Sequence, residues 1–294
     1  MLTDKIFLGL QNDDLKIFKV YKDTRHKLTT RITPLKTKVE GFRLLDSLGF
    51  KSSNLLFTNY VIWVEGHSDI FYYEAFLNMQ GFLNDVRIKR GNHYEIMWYG
   101  GREEKHLFNM KSEDRLSILF SFTRKGAIFW DYDNKDLTKE QNKIIEKVRS
   151  INKNKDFGRN SFIVGYTGEI LSNDGSYSHN KERPRTVENL MSKAAAMEAL
   201  KIAYRSKRNK ENIASKVAHN RKIEKSDVDK VRLGRAFLEY VNGLKQKSKN
   251  ELGLKKELEK VYNETHKQII KDFFKSLYRK IKNANNLHTN KFQM

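Results

Sequence analysis

The chain has 294 residues, 38% of them hydrophobic, and a formal net charge of +21, so it is long enough for one large domain or for a core domain with an appendage. It contains no cysteine, which excludes disulfides, thiolate zinc sites and a cysteine nucleophile. No window reaches the roughly 18 apolar residues of a membrane span, and the first residues make a poor signal peptide. We therefore expect a cytoplasmic protein with no membrane partner.

The predicted elements form an α/β pattern after an N-terminal segment, 1–57, that we expect to be mostly helical. Apolar runs predict four strands, at 60–65, 94–99, 126–131 and 161–165. Between and after them the sequence predicts helices, from a cap at Ser68 or Asp69 to about Gln80, at 102–122 and at 138–150, followed by basic helices from about 192 to 285. This alternation predicts a parallel four-stranded sheet with helices on both faces. The expected domains are 1–57, 58–200 and 201–294.

Charge is unevenly distributed over these segments. Residues 61–140 are the only acidic segment, with a balance of −2, whereas residues 201–294 carry +15. An acidic pocket beside a basic region suits a metal-dependent enzyme that acts on a polyanion. A solvated, lysine-rich surface would give the tail the same composition, so its charge alone leaves both interpretations open.

Two acidic motifs follow predicted strands. In the first, four apolar residues lead into Glu65, and Asp69 follows at the entry to the next helix. In the second, Asp131 and Asp133 flank Tyr132 directly after a strand. Ligands of such sheets sit at the carboxyl ends of the strands, and carboxylates without Cys or His suit Mg²⁺. The alternative is an ordinary helix cap at Asp69, a surface charge at Glu65 and a turn at Asp131.

The order of these motifs resembles a Toprim domain. The sequence has VEG-x-x-D (64–69), then Gly100-Gly101 after a strand, then D-x-D (131–133) after the next strand. The stretches 53–69 and 94–101 are similar to the Toprim half of overcoming-lysogenization-defect (OLD) family nucleases. The resemblance covers roughly residues 45–240, by motif rather than by continuous identity.

The resemblance implies a site of six residues, with catalytic roles for Glu65, Asp131, Asp133 and Lys230. Glu65, Asp69 and Asp131 would hold one Mg²⁺ or Mn²⁺ ion, and Asp131, Asp133 and Glu188 would hold or support a second. Glu188 could instead be a first-turn helix charge, and Lys230 could be one of the 25 basic residues of the tail.

The resemblance also implies partners. OLD nucleases usually carry an ABC-type ATPase, but this chain has no phosphate-loop motif, so it resembles the nuclease effector of a split anti-phage system such as PARIS. We expect a homodimer that cleaves DNA or RNA such as tRNA and is controlled by a separate ATPase. The alternative is a subunit that binds nucleic acid or the ATPase without catalysis.

Overall fold

The fold is that of a computed structural model, which describes residues 18–23, 29–34, 58–84, 88–98, 125–132, 139–153, 162–170, 183–205, 209–224, 226–248 and 250–287. The described strands are β1 (Phe18–Asp23), β2 (Thr29–Pro34), β3 (Val61–Val64), β4 (Glu95–Trp98), β5 (Gly126–Trp130), β6 (Phe162–Tyr166) and β7 (Glu169–Ile170). The helices are α1 (Asp69–Phe82), α2 (Lys139–Lys153), α3 (Lys193–Ala203), α4 (Lys210–Ala218), α5 (Lys230–Lys247), α6 (Glu251–Glu259) and α7 (Lys267–Ala284), with a 3₁₀ helix at Val187–Leu190.

The central sheet has the order β4-β3-β5-β6-β7. Its first four strands are parallel, and β7 returns antiparallel to β6. The β6–β7 turn depends on Gly165, where a Cβ would lie only 2.0 Å from the Glu169 carbonyl oxygen. The α/β class and the four parallel strands agree with the sequence prediction, but the expected count of four is wrong because β7 adds a fifth strand.

Helices cover both faces of the sheet, because alternate residues of each strand point to opposite sides. Ile62, Ala127 and Phe129 face one cluster, which also contains residues of α1, α5 and α7. Val61, Trp63, Ile128 and Trp130 face a second cluster, which contains Ile145 and Val148 of α2. Burial on both faces explains why these strands are nearly continuous apolar runs.

The C-terminal helices belong to the larger of these two cores. The ring of Phe76 in α1 stacks on Phe274 of α7 at 4.8 Å and lies 5.4 Å from Phe237 of α5. Phe273 and Tyr278 are buried as well, as their helical spacing in the sequence predicts. One hydrophobic cluster thus runs across the predicted domain boundary near residue 200.

The N-terminal segment differs from expectation where it is described. β1 and β2 pair antiparallel, with Val20 opposite Ile32, so the helical prediction is wrong for these residues. Threonines are frequent in β2, and β-branched side chains favour the extended backbone. The remainder of 1–57 lies outside the described residues.

Candidate functional site

The two acidic motifs meet at the carboxyl edge of the parallel sheet. β3 and β5 are neighbouring strands, and Glu65 and Asp131 are the residues that directly follow them. The backbone N–H of Asp131 donates to Glu65 Oε2 at 3.5 Å. The Glu65 side chain is exposed, whereas Asp131 is partly buried. Asp133 lies outside the described residues, so its place beside Asp131 stays a prediction.

Asp69 is a buried carboxylate in the first turn of α1. The helix N-cap is Ser68 rather than Asp69, so the alternative of an ordinary cap at Asp69 does not apply. Asp69 instead accepts hydrogen bonds from the Gly66 N–H at 2.8 Å and from Ser68 Oγ at 3.1 Å. A Cβ at Gly66 would lie 3.1 Å from Asp69 Oδ1, so the absence of a side chain leaves room for this bond.

The protonation of Asp69 is strongly perturbed. Burial raises its pKa from 3.8 to about 7, and the charges of Glu188 and Glu65 act in the same direction. The hydrogen bonds from Gly66 and Ser68 lower the pKa and offset only part of this rise. Ionised Asp69 is therefore costly in the folded protein unless a cation lies nearby.

Asp131 shares this environment. Burial raises its pKa well above the ordinary value, and the charges of Asp69, Glu188 and Glu65 raise it further, whereas Lys230 lowers it. The hydroxyl of Thr167 donates to Asp131 Oδ1 at 3.3 Å. The Thr167 N–H in turn donates to the carbonyl oxygen of Trp130 at 2.7 Å, which ties the end of β6 to the end of β5.

Glu188 lies on the 3₁₀ helix and is the third member of the acidic cluster, which we define as Asp69, Asp131 and Glu188. It lies in the first turn of that helix, as the alternative interpretation predicts, but its side chain is only 1% exposed. Thr186 and Asn189 fix the 3₁₀ helix through reciprocal side-chain bonds. The Lys230 ammonium lies 3.1 Å from Glu188 Oε1, whereas Oε2 has no hydrogen-bond partner among the described residues. A buried carboxylate oxygen of this kind needs a cation or donor.

Lys230 is the first residue of α5, and it differs from an ordinary surface lysine. Burial lowers its pKa, but the carboxylates of Glu188, Asp131 and Asp69 more than offset this effect, so that the pKa is raised overall. The ammonium thus stays charged at neutral pH and faces three carboxylates that come from different segments of the chain.

A close contact between helices brings Lys230 to this position. A Cβ at Gly234 in α5 would lie 3.1 Å from the Ser68 carbonyl oxygen and 3.2 Å from Phe71 Cβ. Gly234 therefore lets α5 approach the start of α1 closely. Lys230, four residues earlier on the same helix, then lies beside the acidic cluster.

Whether a divalent cation fits the acidic cluster depends on which atoms of the cluster can bind it. Within the described ranges, no three His, Asp or Glu side chains are grouped closely enough to hold a metal ion. The donors of the cluster are all oxygen, and Mg²⁺ is commonly held by one or two carboxylates while it keeps several waters. The orphaned Oε2 of Glu188 and the mutual repulsion at Asp69 and Asp131 fit such a hydrated ion.

Some residues near the site fall outside the prediction or outside the described residues. The sequence analysis did not identify Thr167 as a site residue. It could have done so, because Thr167 directly follows β6, just as Glu65 and Asp131 directly follow their strands. Gly100, Gly101 and the expected helix 102–122 lie outside the described residues, so their part in the site stays a prediction.

Comparisons with known proteins do not identify the chain. No protein-family model, no curated protein and no solved structure matches it. Across the part of the chain that the structure describes, none of the helices combines the length and the apolar character that crossing a membrane requires. The functional argument therefore depends on the geometry of the acidic cluster.

Proposed function

We propose that the chain is a divalent-metal-dependent endonuclease of the Toprim type, which hydrolyses phosphodiester bonds of DNA or RNA. The observation that carries the proposal is the convergence of Asp69, Asp131 and Glu188 around Lys230 at the carboxyl edge of a parallel sheet. The charges of the neighbouring carboxylates raise the pKa of both Asp69 and Asp131, so their ionisation is unfavourable without a cation. Phosphoryl transfer is a reaction for which such a site is suited, because it needs a cation beside an anionic substrate.

Glu65, Asp69, Asp131 and Glu188 would hold Mg²⁺ or Mn²⁺, and the proposed second ion would also involve Asp133. When bound, such ions neutralise phosphate charge and make a water more acidic. The protein's own part is to hold the carboxylates in place. The bonds from Gly66 and Ser68 orient Asp69, and the Thr167 hydroxyl orients Asp131.

Lys230 has a separate role in this proposal. Its charged ammonium would lie beside the scissile phosphate and stabilise the negative charge that develops during the displacement. Glu188 holds it there through the ion pair of 3.1 Å. The basic C-terminal region, with a charge balance of +15, would supply the attraction that brings a polyanion to the site.

The proposed partners follow from the same function. A nuclease in the cell needs control, and the chain has no nucleotide-binding phosphate loop of its own. We therefore keep a separate ABC-type ATPase as the proposed regulator and a homodimer as the proposed assembly, in the setting of anti-phage defence.

The test is cleavage by the purified chain, free of any ATPase. Plasmid DNA and tRNA are incubated with the protein in Mg²⁺, in Mn²⁺ and in EDTA. Cleavage is expected only with metal, and Glu65→Ala and Asp131→Ala should each lower its rate by about 100-fold or more. Glu239→Gln removes an exposed carboxylate of α5 and should leave the rate unchanged. Absence of metal-dependent cleavage of both substrates, or cleavage unaffected by the two alanine variants, would refute the proposal.

A second candidate is a subunit that binds nucleic acid without catalysis. The observation that favours it is the charge balance of +15 in residues 201–294, which attracts phosphates with or without a catalytic site. It predicts salt-sensitive binding of nucleic acid that is unchanged in Glu65→Ala and Asp131→Ala, and no metal-dependent cleavage.

A further inference from the structure

Three aromatic rings and one guanidinium form a continuous run on the surface. The ring of His67 lies 5.7 Å from that of Trp98 and 5.8 Å from that of Phe71. The Arg235 guanidinium lies over the Phe71 ring, 5.3 Å from its centroid. We name Trp98, His67, Phe71 and Arg235 the aromatic platform.

The platform borders the acidic cluster. His67 stands in the sequence between Glu65 and Asp69, and Trp98 is the last residue of β4, the strand that pairs with β3. The platform therefore lies at the same carboxyl edge of the sheet as the carboxylates. Its fourth member comes from α5, the helix that begins with Lys230.

Core packing accounts for only part of the platform, since Trp98 packs against the larger hydrophobic cluster. His67 and Arg235 are exposed, and Phe71 and Trp98 are only partly buried. The aromatic contacts of the core, such as that between Phe76 and Phe274, are between fully buried rings. Partly exposed aromatic rings beside a guanidinium are a surface on which an unpaired nucleobase can stack.

Base pairing decides which nucleic acid can use this surface. A base inside a duplex is stacked on both faces and offers the protein its backbone and groove edges. An unpaired base exposes its faces, and its phosphate would meet the positive charge of Arg235. An unpaired nucleotide could contact the aromatic rings through its base and the positive charge through its phosphate. A duplex could make only the phosphate contacts.

We propose that the aromatic platform stacks an unpaired nucleobase next to the scissile phosphate, so that the substrate is single-stranded nucleic acid or a loop. This inference depends on the proposed function only in taking nucleic acid as the substrate. It adds the class of nucleic acid and assigns substrate-positioning roles to Trp98, His67, Phe71 and Arg235.

Tryptophan fluorescence gives a direct test. The chain has three tryptophans, of which Trp63 and Trp130 are 3% and 5% exposed, so that Trp98 is the one a ligand can reach. The full-length protein is titrated in EDTA with a single-stranded 12-nucleotide DNA, with the same strand carrying abasic sites, and with the corresponding duplex. We expect quenching by the intact single strand and little by the abasic strand or the duplex.

Variants separate stacking from charge. In a fluorescence-anisotropy titration of dye-labelled strands, which does not depend on Trp98, Trp98→Ala and Phe71→Ala should each weaken binding of the intact strand by about 5- to 150-fold, the range measured for loss of one base–aromatic stack, and should leave abasic-strand binding unchanged. Trp98→Phe retains a ring for stacking and should bind nearly as the wild type does, without the quenching signal. It also covers the case in which Trp98→Ala does not fold.

A matched control exists on the same two helices. Phe82 ends α1, and the Lys245 ammonium of α5 lies 4.8 Å from its ring centroid, so it repeats the Phe71–Arg235 pair at the opposite end of α1. Phe82→Ala should leave binding of the intact strand unchanged.

Equal quenching by intact and abasic strands, stronger binding of the duplex, or equal losses in Phe71→Ala and Phe82→Ala would overturn the platform. These readings need no cleavage. Selective quenching without metal-dependent cleavage would support base stacking on the platform and refute the proposed nuclease activity. Metal-dependent cleavage without selective quenching would support the nuclease activity and refute base stacking on the platform.

Discussion

Replacement of Asp69 by asparagine should make the metal-free protein more stable at pH 8. Asp69 is buried beside other carboxylates, which raise its pKa from 3.8 to about 7. Well below pH 3.8 it is protonated in both the folded and the unfolded chain, so its charge costs nothing. Between pH 4 and 7 the unfolded chain ionises first, so that stability is lost as the pH rises, and the loss is complete above pH 7.

The magnitude follows from the size of the pKa difference. A rise from 3.8 to about 7 corresponds to about 4 kcal/mol at pH 8, since one pKa unit is worth about 1.4 kcal/mol. Asparagine keeps one acceptor oxygen, but it cannot accept both the Gly66 and the Ser68 hydrogen bonds, and the lost bond costs about 1 kcal/mol. The net gain is roughly 3 kcal/mol, which for a chain of this size raises Tm by about 5 °C.

Thermal unfolding followed by circular dichroism in EDTA, at pH 4.5 and at pH 8, measures this effect. The gain of Asp69→Asn over the wild type should be large at pH 8 and small at pH 4.5. Asp272→Asn, at an exposed carboxylate of α7, should show no such dependence. Mg²⁺ at pH 8 should raise the wild-type Tm more than that of Asp69→Asn. A variant less stable than the wild type at pH 8, or an equal gain at both pH values, would refute the reasoning.

Two further predictions concern α5. Lys230→Met should lower the rate of single-turnover cleavage by about 100-fold or more with little loss of nucleic-acid affinity. The control, Lys216→Met, breaks another partly buried ion pair and should leave the cleavage rate unchanged. Equal cleavage rates in the two variants would contradict the role of Lys230. Gly243→Ala should raise Tm, because helix propensity improves by up to about 1 kcal/mol and a Cβ at this position meets nothing within 4 Å. Gly234→Ala should lower Tm, because a Cβ there would lie 3.1 Å from the Ser68 carbonyl oxygen. The same shift of Tm in both variants would contradict the close approach of α5 to α1.

The parallel core of the sheet could be predicted because its strands are buried on both faces. Apolar runs such as those of β3 and β5 are distinctive when neither face meets water. β7 was not predicted because a strand of two residues has no periodicity to detect. The pairing of β1 with β2 was missed because short amphipathic segments fit helix and strand templates about equally well.

The candidate site was only partly predictable from local sequence. Glu65 and Asp131 follow apolar strands directly, so the position of ligand sites in parallel sheets identifies them. Glu188 and Lys230 stand far away in the sequence, and only the family resemblance suggested them. The packing that places Lys230 depends on the contact of Gly234 with Ser68, which no pattern within α5 encodes.

Lys230 is the first residue of α5, so the acidic cluster is adjacent to only one end of this helix. It has 18 residues and is thus about 27 Å long, with Lys245 and Lys247 in its last turn. The aromatic platform takes up only the first part of it, since Arg235 lies five residues, or about 8 Å, from Lys230, whereas the control pair of Phe82 and Lys245 lies at the far end. Because the acidic cluster lies at only one end, the bound strand would extend to one side of the cut, and a nuclease-protection footprint would be asymmetric about the cleaved bond.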